Sequence, residues 1–266
     1  MPNAISLITL LTDFGDRDAF VASMKGVILN INPQARVVDL SHQVRRQDVE
    51  EAAFLLRSCY HYFPEGTVHV AVVDPGVGTA RRPLLVTTSR YFFLAPDNGL
   101  LTFIYENEPS VDVRQIENRQ YRLDSEGATF DGRDLFAPAA AWLTRGLAPG
   151  TFGRLVRDHV RLPVEEPAWR GARFVGRIIH VDHFGNLISN VTAAQVEDVK
   201  AAAKRPTVTI GVAGTAIQDL ARCYEEGSPA AARALINSNG LLEIFVKEGS
   251  AAAVLKVSRG EPIELT

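Results

Sequence analysis

The alternation of short apolar runs with helix-like segments constrains the fold of this chain more than any other feature. Residues 6–11 and 68–73 are apolar runs of strand length, and the second resembles a strand buried on both faces. Between them, residues 19–31 carry apolar side chains at helical spacing after a predicted N-cap at Asp18, and Asp48 begins a second helical pattern. This order predicts an α/β domain with a mainly parallel central sheet.

The pattern changes after residues 161–169, where two prolines and two glutamates give a composition typical of a linker. Beyond this break we predict short strands at residues 174–181, 187–191, 207–212, 241–246 and 252–257. Helical spacing returns only at residues 193–203 and 217–224. We therefore predict an N-terminal α/β domain (1–162), a linker (163–170) and a smaller, β-rich, barrel-like C-terminal domain (171–266).

Composition excludes several classes of protein. The 266 residues carry a formal net charge of −3, and this lack of basic excess argues against nucleic acid as a partner. Cys59 and Cys223 are too few for a disulfide framework or a zinc site. No apolar stretch reaches ~18 residues, so no membrane association is expected. The first residues lack the positive region of a signal peptide, and we expect a cytoplasmic setting.

The loop that follows the second apolar run has the composition of a ligand-binding turn. Asp74 ends the predicted strand, Gly76 and Gly78 permit close approach of the backbone to a ligand, and Arg81 lies seven residues after Asp74. A guanidinium beside Asp74 would keep the carboxylate ionised and able to orient a water molecule. The alternative is an ordinary Asp-Pro-Gly turn with a surface ion pair.

Two further acidic segments lie at predicted element ends. Asp13, Asp16 and Asp18 follow the first strand, where carboxylates suit a ribose diol, a metal or a cationic ligand. Asp131 and Asp134 flank the start of a helix predicted at residues 133–144. For both segments the alternative is helix capping by acids that stay in solvent.

The second half contributes two polar turns, at residues 182–186 and 237–240. Each contains asparagine, whose amide offers a donor and an acceptor together and therefore suits a purine edge. The alternative is that these side chains only stabilise the turns. The histidines have no partners at metal-ligand spacing, and we interpret them as structural.

Together and in this order, these segments resemble the S-adenosylmethionine (SAM) hydroxide adenosyltransferase family, the SAM hydrolases, which are related to fluorinases and chlorinases. The resemblance covers nearly the whole chain. It rests on residues 12–18, 48–52, 63–68, 74–78, 95–100, 132–138, 182–186 and 237–238.

The resemblance implies an enzyme that cleaves SAM at the ribose C5′ carbon and releases adenosine and methionine. It implies no metal and no cofactor, because SAM is itself the substrate. It also implies a homotrimer with each site between the N-terminal domain of one subunit and the C-terminal domain of the next. A SAM-dependent halogenase and a non-catalytic SAM- or adenosine-binding protein remain the alternatives.

By position, the resemblance also assigns roles to individual residues. Asp13 matches the residue that holds the ribose hydroxyls, and Asn186 matches the reader of the adenine edge. Phe184 would lie against the adenine ring, with the backbone from Val246 to Glu248 completing its recognition. The resemblance places Asp18, Asp182 and Ser238 beside the methionine portion. It also assigns Phe130 and Glu243 to substrate binding.

The hydrolases of this family position the attacking water with an Asp-Arg-His triad. Asp74 and Arg81 match its first two members, but Asp131 stands where the family commonly has histidine. Asp131 is expected either to share the charge of Arg81 as an ionised acceptor or to donate a hydrogen bond as a protonated acid. The halogenases carry tyrosine at the position of Asp74, and an anionic side chain there favours water over halide.

Overall fold

A computed structural model describes residues 6–229 and 231–266 of the chain. The chain divides into two compact units, of which unit 1 ends at Pro163 and unit 2 begins at Val164. Each unit buries apolar side chains of its own. None of the helices in the described residues has the length and apolar character needed to cross a membrane.

Unit 1 alternates strands and helices in the way its apolar pattern predicts. Short 3-10 turns and one π-helical turn, at Gly132–Phe136, supplement the main elements. In chain order those elements are β1 (Leu7–Thr12), α1 (Phe20–Ile31), β2 (Arg36–Ser41), α2 (Val49–Cys59), β3 (Val68–Val72), β4 (Pro83–Thr87), β5 (Phe92–Pro96), α3 (Thr102–Asn107), β6 (Asp112–Gln115) and α4 (Ala137–Thr144).

The six strands of unit 1 form one mixed sheet in the order β2-β1-β3-β5-β4-β6. The pairs from β2 to β5 are parallel, whereas β4 runs antiparallel to both β5 and β6. Apolar side chains of α1 and α4 pack on one face of the sheet, and those of α2 and the start of α3 pack on the other. The carboxyl ends of β1 and β3 therefore lie side by side, which brings their following loops together.

Local sequence explains two of the helix starts. The Asp48 side chain accepts a hydrogen bond from the Glu51 N–H at 3.0 Å and caps α2, as the sequence predicts. The predicted cap at Asp18 is wrong, because α1 begins after Ala19 and has no side-chain cap. This leaves the carboxylate of Asp18 without a structural task at the helix start.

Unit 2 is rich in antiparallel β-structure. Its strands follow the order β11-β10-β14-β8-β9-β13-β12, with β7 added on β8, and a bridge between Leu220 and Ala234 nearly closes the sheet into a barrel. In chain order its elements are β7 (Ala168–Arg170), β8 (Arg173–Val181), β9 (Leu187–Thr192), α5 (Ala193–Ala203), β10 (Thr209–Val212), β11 (Thr215–Gln218), β12 (Arg233–Ile236), β13 (Leu241–Phe245), α6 (Ala251–Leu255) and β14 (Pro262–Leu265).

Two of the sequence-based assignments in unit 2 are wrong. Residues 217–224 do not form the predicted helix, because β11 occupies their first part and a loop follows it, with a 3-10 turn starting only at Tyr224. The strand predicted at residues 252–257 is the helix α6, which Ser250 caps by accepting the Ala253 N–H at 3.1 Å. Residues 251–255 are three alanines, a valine and a leucine, and so short an apolar run has no periodicity that could distinguish a helix from a strand.

Candidate functional site

A cavity of about 400 Å³ opens in unit 1 where the loops after β1 and β3 meet the segment before α4. It contains five of the residues predicted for the site, Asp13, Asp18, Asp74, Phe130 and Asp131. The other lining residues are Phe14, Phe20, Arg46, Gln47, Val72, Val77, Thr129 and Gly132.

The loop from Asp74 to Arg81 folds back on itself, so that its two ends meet. Asp74 Oδ2 accepts hydrogen bonds from Arg81 Nε at 2.8 Å and Nη2 at 2.5 Å. Within the loop, the Thr79 hydroxyl donates to the Gly76 carbonyl at 2.6 Å, and Gly78 adopts a φ of +78° that favours glycine. The ion pair predicted from the seven-residue spacing therefore forms.

Asp131 binds the same guanidinium. Its Oδ2 accepts a hydrogen bond from Arg81 Nη2 at 2.5 Å, and the three side chains of Asp74, Arg81 and Asp131 are 5%, 11% and 13% exposed. Burial alone lowers the pKa of Arg81, but hydrogen bonds and charges from the two carboxylates outweigh burial and raise it. Arg81 therefore stays charged and holds two carboxylates at the edge of one cavity.

Asp131 does not cap the helical segment that it precedes. It occupies the N-cap position of the π-helical turn, yet its side chain makes no capping hydrogen bond and is directed to Arg81. A second cation, Arg122, lies 3.8 Å from Asp131 Oδ1. The helix-capping alternative for Asp131 is therefore wrong, and its charge belongs to the cavity.

Three phenylalanines form an aromatic wall of the cavity. The ring centroids of Phe14, Phe20 and Phe130 lie 5.3–5.8 Å apart in tilted and edge-to-face pairs. Gly132 permits this packing, because a Cβ there would lie 3.1 Å from the Phe14 ring and 3.2 Å from the Phe130 ring. Phe20 is 43% exposed, so the wall remains open on one side.

Asp13 is held by the backbone of another loop. Its Oδ2 accepts a hydrogen bond from the Gln47 N–H at 2.7 Å, and Gln47 has a φ of +63° that is uncommon for a residue with a side chain. Asp13 Oδ1 has no hydrogen-bond partner within the described residues. Asp13 lines the cavity, so this second oxygen keeps the capacity to accept a hydrogen bond there.

The cavity carries net negative charge. Four carboxylates, from Asp13, Asp18, Asp74 and Asp131, are offset by three guanidinium groups, those of Arg46, Arg81 and Arg122. Such a field, close to low-dielectric aromatic walls, attracts a cationic ligand and repels a small anion.

In unit 2, the loop from Asp182 to Asn186 is organised by its own aspartate. Asp182 Oδ1 accepts the backbone N–H groups of Phe184 and Asn186 at 2.9 and 2.8 Å, and its Oδ2 accepts the Asn186 amide at 3.1 Å. Gly185 has a φ of +82°, and a Cβ there would collide with the Ser250 hydroxyl. The loop therefore holds the Phe184 ring outward, where it is 74% exposed.

Glu243 belongs to a buried polar cluster of unit 2. It is 2% exposed, accepts the Tyr224 hydroxyl at 2.8 Å and accepts the Asn237 amide at 3.1 Å. Burial, together with the nearby charge of Asp182, raises the pKa of Glu243, and the two hydrogen bonds act in the opposite direction. Both of its oxygens have protein partners, so its position favours a structural task beside the polar turns.

The remaining predicted residues also lie on unit 2. Ser238 is exposed in the turn before β13, Val246 is buried just after that strand, and Glu248 adopts a φ of +56° in the turn that follows. The structure thus places the predicted residues in two groups, one on each unit. Their roles in binding stay predictions.

Sequence reasoning missed several residues that line the cavity or contact its charges. Phe14, Phe20, Arg46, Gln47 and Arg122 all lie there. Phe14 lies within the acidic segment after β1 and Phe20 lies two residues beyond it, so their proximity in sequence to the aspartates was a usable signal. Arg46, Gln47 and Arg122 lie in loops without a periodic pattern, so nothing in the sequence indicated their orientation.

The sequence of the chain matches the models of two protein-family domains. The SAM hydroxide adenosyltransferase N-terminal domain matches residues 8–153, and the C-terminal domain of the same family matches residues 176–264.

The chain belongs to the SAM hydroxide adenosyltransferase family. The first match spans the cavity and the Asp74–Arg81 loop, and the second spans the Asp182–Asn186 loop and the Glu243 cluster.

Individual relatives agree with this membership. The chain is 36% identical to the (R)-S-adenosyl-L-methionine hydrolase of Salinispora arenicola over 97% of both chains. A fluorinase from an Actinoplanes species is more distant, at 29% identity over 73% of this chain and 74% of its own. Among solved structures, an uncharacterized conserved protein from Thermotoga maritima superposes with a TM-score of 0.89 at 33% identity, covering 97% of this chain and 99% of that one.

Proposed function

We propose that this member of the SAM hydroxide adenosyltransferase family hydrolyses SAM at the ribose C5′ carbon and produces adenosine and L-methionine. The observation that carries the proposal is the pair of carboxylates, Asp74 and Asp131, held on the one guanidinium of Arg81 at the edge of an acidic cavity. The similarity to an (R)-S-adenosyl-L-methionine hydrolase over nearly the whole chain supports it.

In the proposed reaction, a water oxygen attacks C5′ in line with the bond to sulfur. The C5′–O bond forms as the C5′–S bond breaks, its electron pair goes to the sulfonium sulfur, and methionine leaves as a neutral thioether. Because the leaving group is neutral, no general acid is needed. The water proton passes to a carboxylate and then to solvent. What the enzyme has to supply is the orientation of the attacking water and the exclusion of other solvent from the site.

Asp74 is the proposed acceptor of the water proton. Its Oδ2 is occupied by two Arg81 N–H groups, whereas its Oδ1 accepts, among the described residues, only the Gly76 N–H at 3.2 Å and so retains capacity for a water. In the proposal Arg81 fixes this carboxylate, and an ionised Asp131 shares the guanidinium as the third member. Asp131 accepts from Arg81 and lies near Arg122, and both contacts favour its ionised role over a protonated one.

The acidic cavity supports SAM over a neutral or anionic ligand. SAM carries a sulfonium and an ammonium group, and the four carboxylates complement these charges. We propose Asp13 for the ribose hydroxyls and Phe130 for the wall beside the reacting carbon. On unit 2 we propose Phe184 and Asn186 for adenine and Ser238 for the methionine portion.

The relative's name specifies the R configuration, and we propose that this chain also acts on the R sulfonium epimer. Halogenation of SAM is the alternative function for this fold, because a fluorinase is among the relatives. The charge of Asp74 opposes a halide nucleophile at the position where water would lie. Water is therefore the nucleophile in the proposal.

We further propose that the protein is a cytoplasmic homotrimer, with each site completed by unit 2 of a neighbouring protomer. Large exposed aromatic side chains on unit 2 support this assembly, since Phe184 and Tyr224 are 74% and 50% exposed. The free thiols of Cys59 and Cys223 fit a reducing compartment. A mass in solution of three times 29.1 kDa is the expected result of ultracentrifugation, and a monomer would contradict the assembly.

The decisive experiment is product analysis after incubation with each separated sulfonium epimer of SAM in ¹⁸O-labelled water. The expected product is adenosine that carries the label at its 5′ oxygen, formed from the R epimer. A 5′-halogenated nucleoside in excess chloride or fluoride would favour the halogenase. Binding of SAM without any adenosine over many hours would favour a non-catalytic binding protein.

A further inference from the structure

The turn formed by Asp97 and Asn98 is a polar motif to which the proposed mechanism gives no task. It directly follows β5, which pairs in parallel with β3, the strand that leads to Asp74. Asp97 is 7% exposed, so its charge is buried beside the loop that carries Asp74 and Arg81. A buried carboxylate costs stability unless it is paired, and its partners therefore indicate what it does.

Asn98 holds the chain at the start of that loop. Its side-chain amide donates a hydrogen bond to the carbonyl of Val73, the residue immediately before Asp74, at 2.8 Å. The Asn98 side-chain oxygen accepts the Leu100 N–H at 3.2 Å, which fixes the orientation of the amide. The peptide group that precedes Asp74 is thus held by a side chain on the neighbouring strand end.

Asp97 holds the chain at the end of the same loop. Its Oδ2 accepts from Arg82 Nε at 2.8 Å and lies 2.6 Å from Arg82 Nη2, and its N–H donates to the Arg82 carbonyl at 2.8 Å. Arg82 immediately follows Arg81, whose guanidinium binds Asp74 and Asp131. Two adjacent arginines therefore point to different carboxylates, one toward the cavity and one toward the turn.

We propose that Asp97 and Asn98 are positioning residues for the hydrolysis, fixing both ends of the loop from Asp74 to Arg81. This inference rests on the proposed function for its kinetic readout. The loop is anchored at Val73 and at Arg82, and the Asp74–Arg81 pair closes it between those anchors. In-line attack requires the carboxylate within a fraction of an ångström, so a released anchor lowers the rate of reaction more than the affinity for substrate.

Asn98→Asp is the sharpest variant, because it keeps the size of the side chain and the acceptor for Leu100 but replaces the donor to Val73 with an oxygen. We expect kcat to fall by about tenfold or more while KM changes by less than about twofold. Hydrogen exchange of the amides in residues 73–82 should become faster, with the rest of the chain unchanged.

Asp158→Asn is the matched control. Asp158 binds the same Arg82 at 2.7 Å, but its side chain is 83% exposed, so solvent screens the pair. We expect wild-type kcat and wild-type exchange in this variant. A loss as large as that of Asn98→Asp would show that any change near Arg82 slows the enzyme, and it would overturn the assignment to Asp97 and Asn98.

Unchanged kcat in folded Asn98→Asp would overturn the proposal, as would faster exchange spread evenly over the chain. If that variant does not fold, Asp97→Asn takes its place, since its remaining oxygen keeps the 2.8 Å acceptor for the Val160 N–H. If the wild-type protein hydrolyses no SAM, the proposed function fails, but the exchange experiment still decides whether the turn holds the loop.

Discussion

Asp74 and Asp182 are both aspartates that follow a strand, yet the two units use them differently. Asp182 accepts three N–H groups, all from its own loop, and therefore fixes the shape of that loop. Asp74 is bound mainly by a guanidinium that it shares with Asp131, and one of its oxygens retains capacity toward a cavity. The difference teaches that the carboxylate proposed to react is distinguished from a loop-stabilising one by the partner that holds it, and not by residue type or strand-end position.

The comparison predicts its largest effect at Asp74. Asp74→Asn should lower kcat by roughly a hundredfold or more, because the amide cannot accept the water proton, while SAM still binds. Asp182→Asn should instead act mainly through KM, since it loosens the loop that presents Phe184. Steady-state kinetics of adenosine release measure both, and Asp112→Asn, at an exposed position on β6, is the control. Equal losses of kcat in Asp74→Asn and Asp182→Asn would contradict the claim that the two aspartates have different tasks.

A second prediction contrasts the response of the units to acid. His69 is 0% exposed in unit 1, and burial lowers its pKa to about 3. Below pH ~6.5 the histidine of the unfolded chain takes up a proton, whereas buried His69 in the folded state does not. The free energy of unfolding therefore decreases as the pH falls through that range. Going from pH 7 to pH 5 should lower the free energy of unfolding by about 2 kcal/mol through His69. Burial raises the pKa of Glu243 in unit 2, so the folded state takes up this proton more readily than the unfolded chain does. Through Glu243, the free energy of unfolding therefore increases as the pH falls.

Tryptophan fluorescence can separate the two units, because Trp142 lies in α4 of unit 1 and Trp169 lies in β7 of unit 2. Denaturation of a Trp169→Phe protein at pH 5, 6 and 7 reports unit 1, with and without His69→Gln. The glutamine variant should lose most of the pH dependence. An identical slope with histidine and with glutamine would contradict the role of His69.

A third prediction concerns recognition by unit 2. Phe184→Ala should raise KM by about tenfold, the loss expected for one aromatic stacking partner of a base, with little change in kcat. Its thermal stability should stay that of the wild type, because the ring is 74% exposed. Tyr62→Ala removes a ring that is 71% exposed on unit 1 and serves as the control. A large fall in kcat at unchanged KM would argue against a recognition role for Phe184.

The smallest effect is expected at the start of α5, where the hydrogen bonds concern helix capping and none of the predicted site residues takes part. Thr192 and Gln195 form a capping box there, with the Thr192 hydroxyl accepting the Gln195 N–H at 3.3 Å. Thr192→Ala should lower the free energy of unfolding of unit 2 by about 1 kcal/mol and leave kinetics unchanged. Thr192→Ser, which keeps the hydroxyl, should restore most of the loss in chemical denaturation; equal losses would exclude the cap as the cause.

Prediction from sequence worked best where burial imposes a period. The strands β1 and β3 and the helices α1, α2 and α5 have apolar patterns long enough to identify them. Unit 2 was harder, because strands of four residues, such as β11 and β12, and the five-residue α6 are too short to show one. Their states are decided by pairing and packing with distant segments, which the local sequence does not encode.

The site was predictable to the extent that its residues lie close in sequence. The Asp74–Arg81 pair follows from a seven-residue spacing and a glycine-rich loop. The contact of Asp131 with the same guanidinium joins residues fifty positions apart and came only from resemblance to a family. The Gln47 N–H on Asp13 and the Arg122 side chain near Asp131 depend on loop conformations, and no pattern in the chain indicated them.

The close packing of Gly185 against Ser250 has a practical consequence for engineering. Any side chain at position 185 would displace the hydroxyl that caps α6, while the Ala252 N–H must still reach the Gly185 carbonyl at 2.9 Å. His183 and Phe184 are exposed beside it and carry no such restriction. A mutant library that tests the proposed role of this loop in base recognition, with SAM analogues that carry bases other than adenine, should therefore diversify positions 183 and 184 and keep glycine at 185.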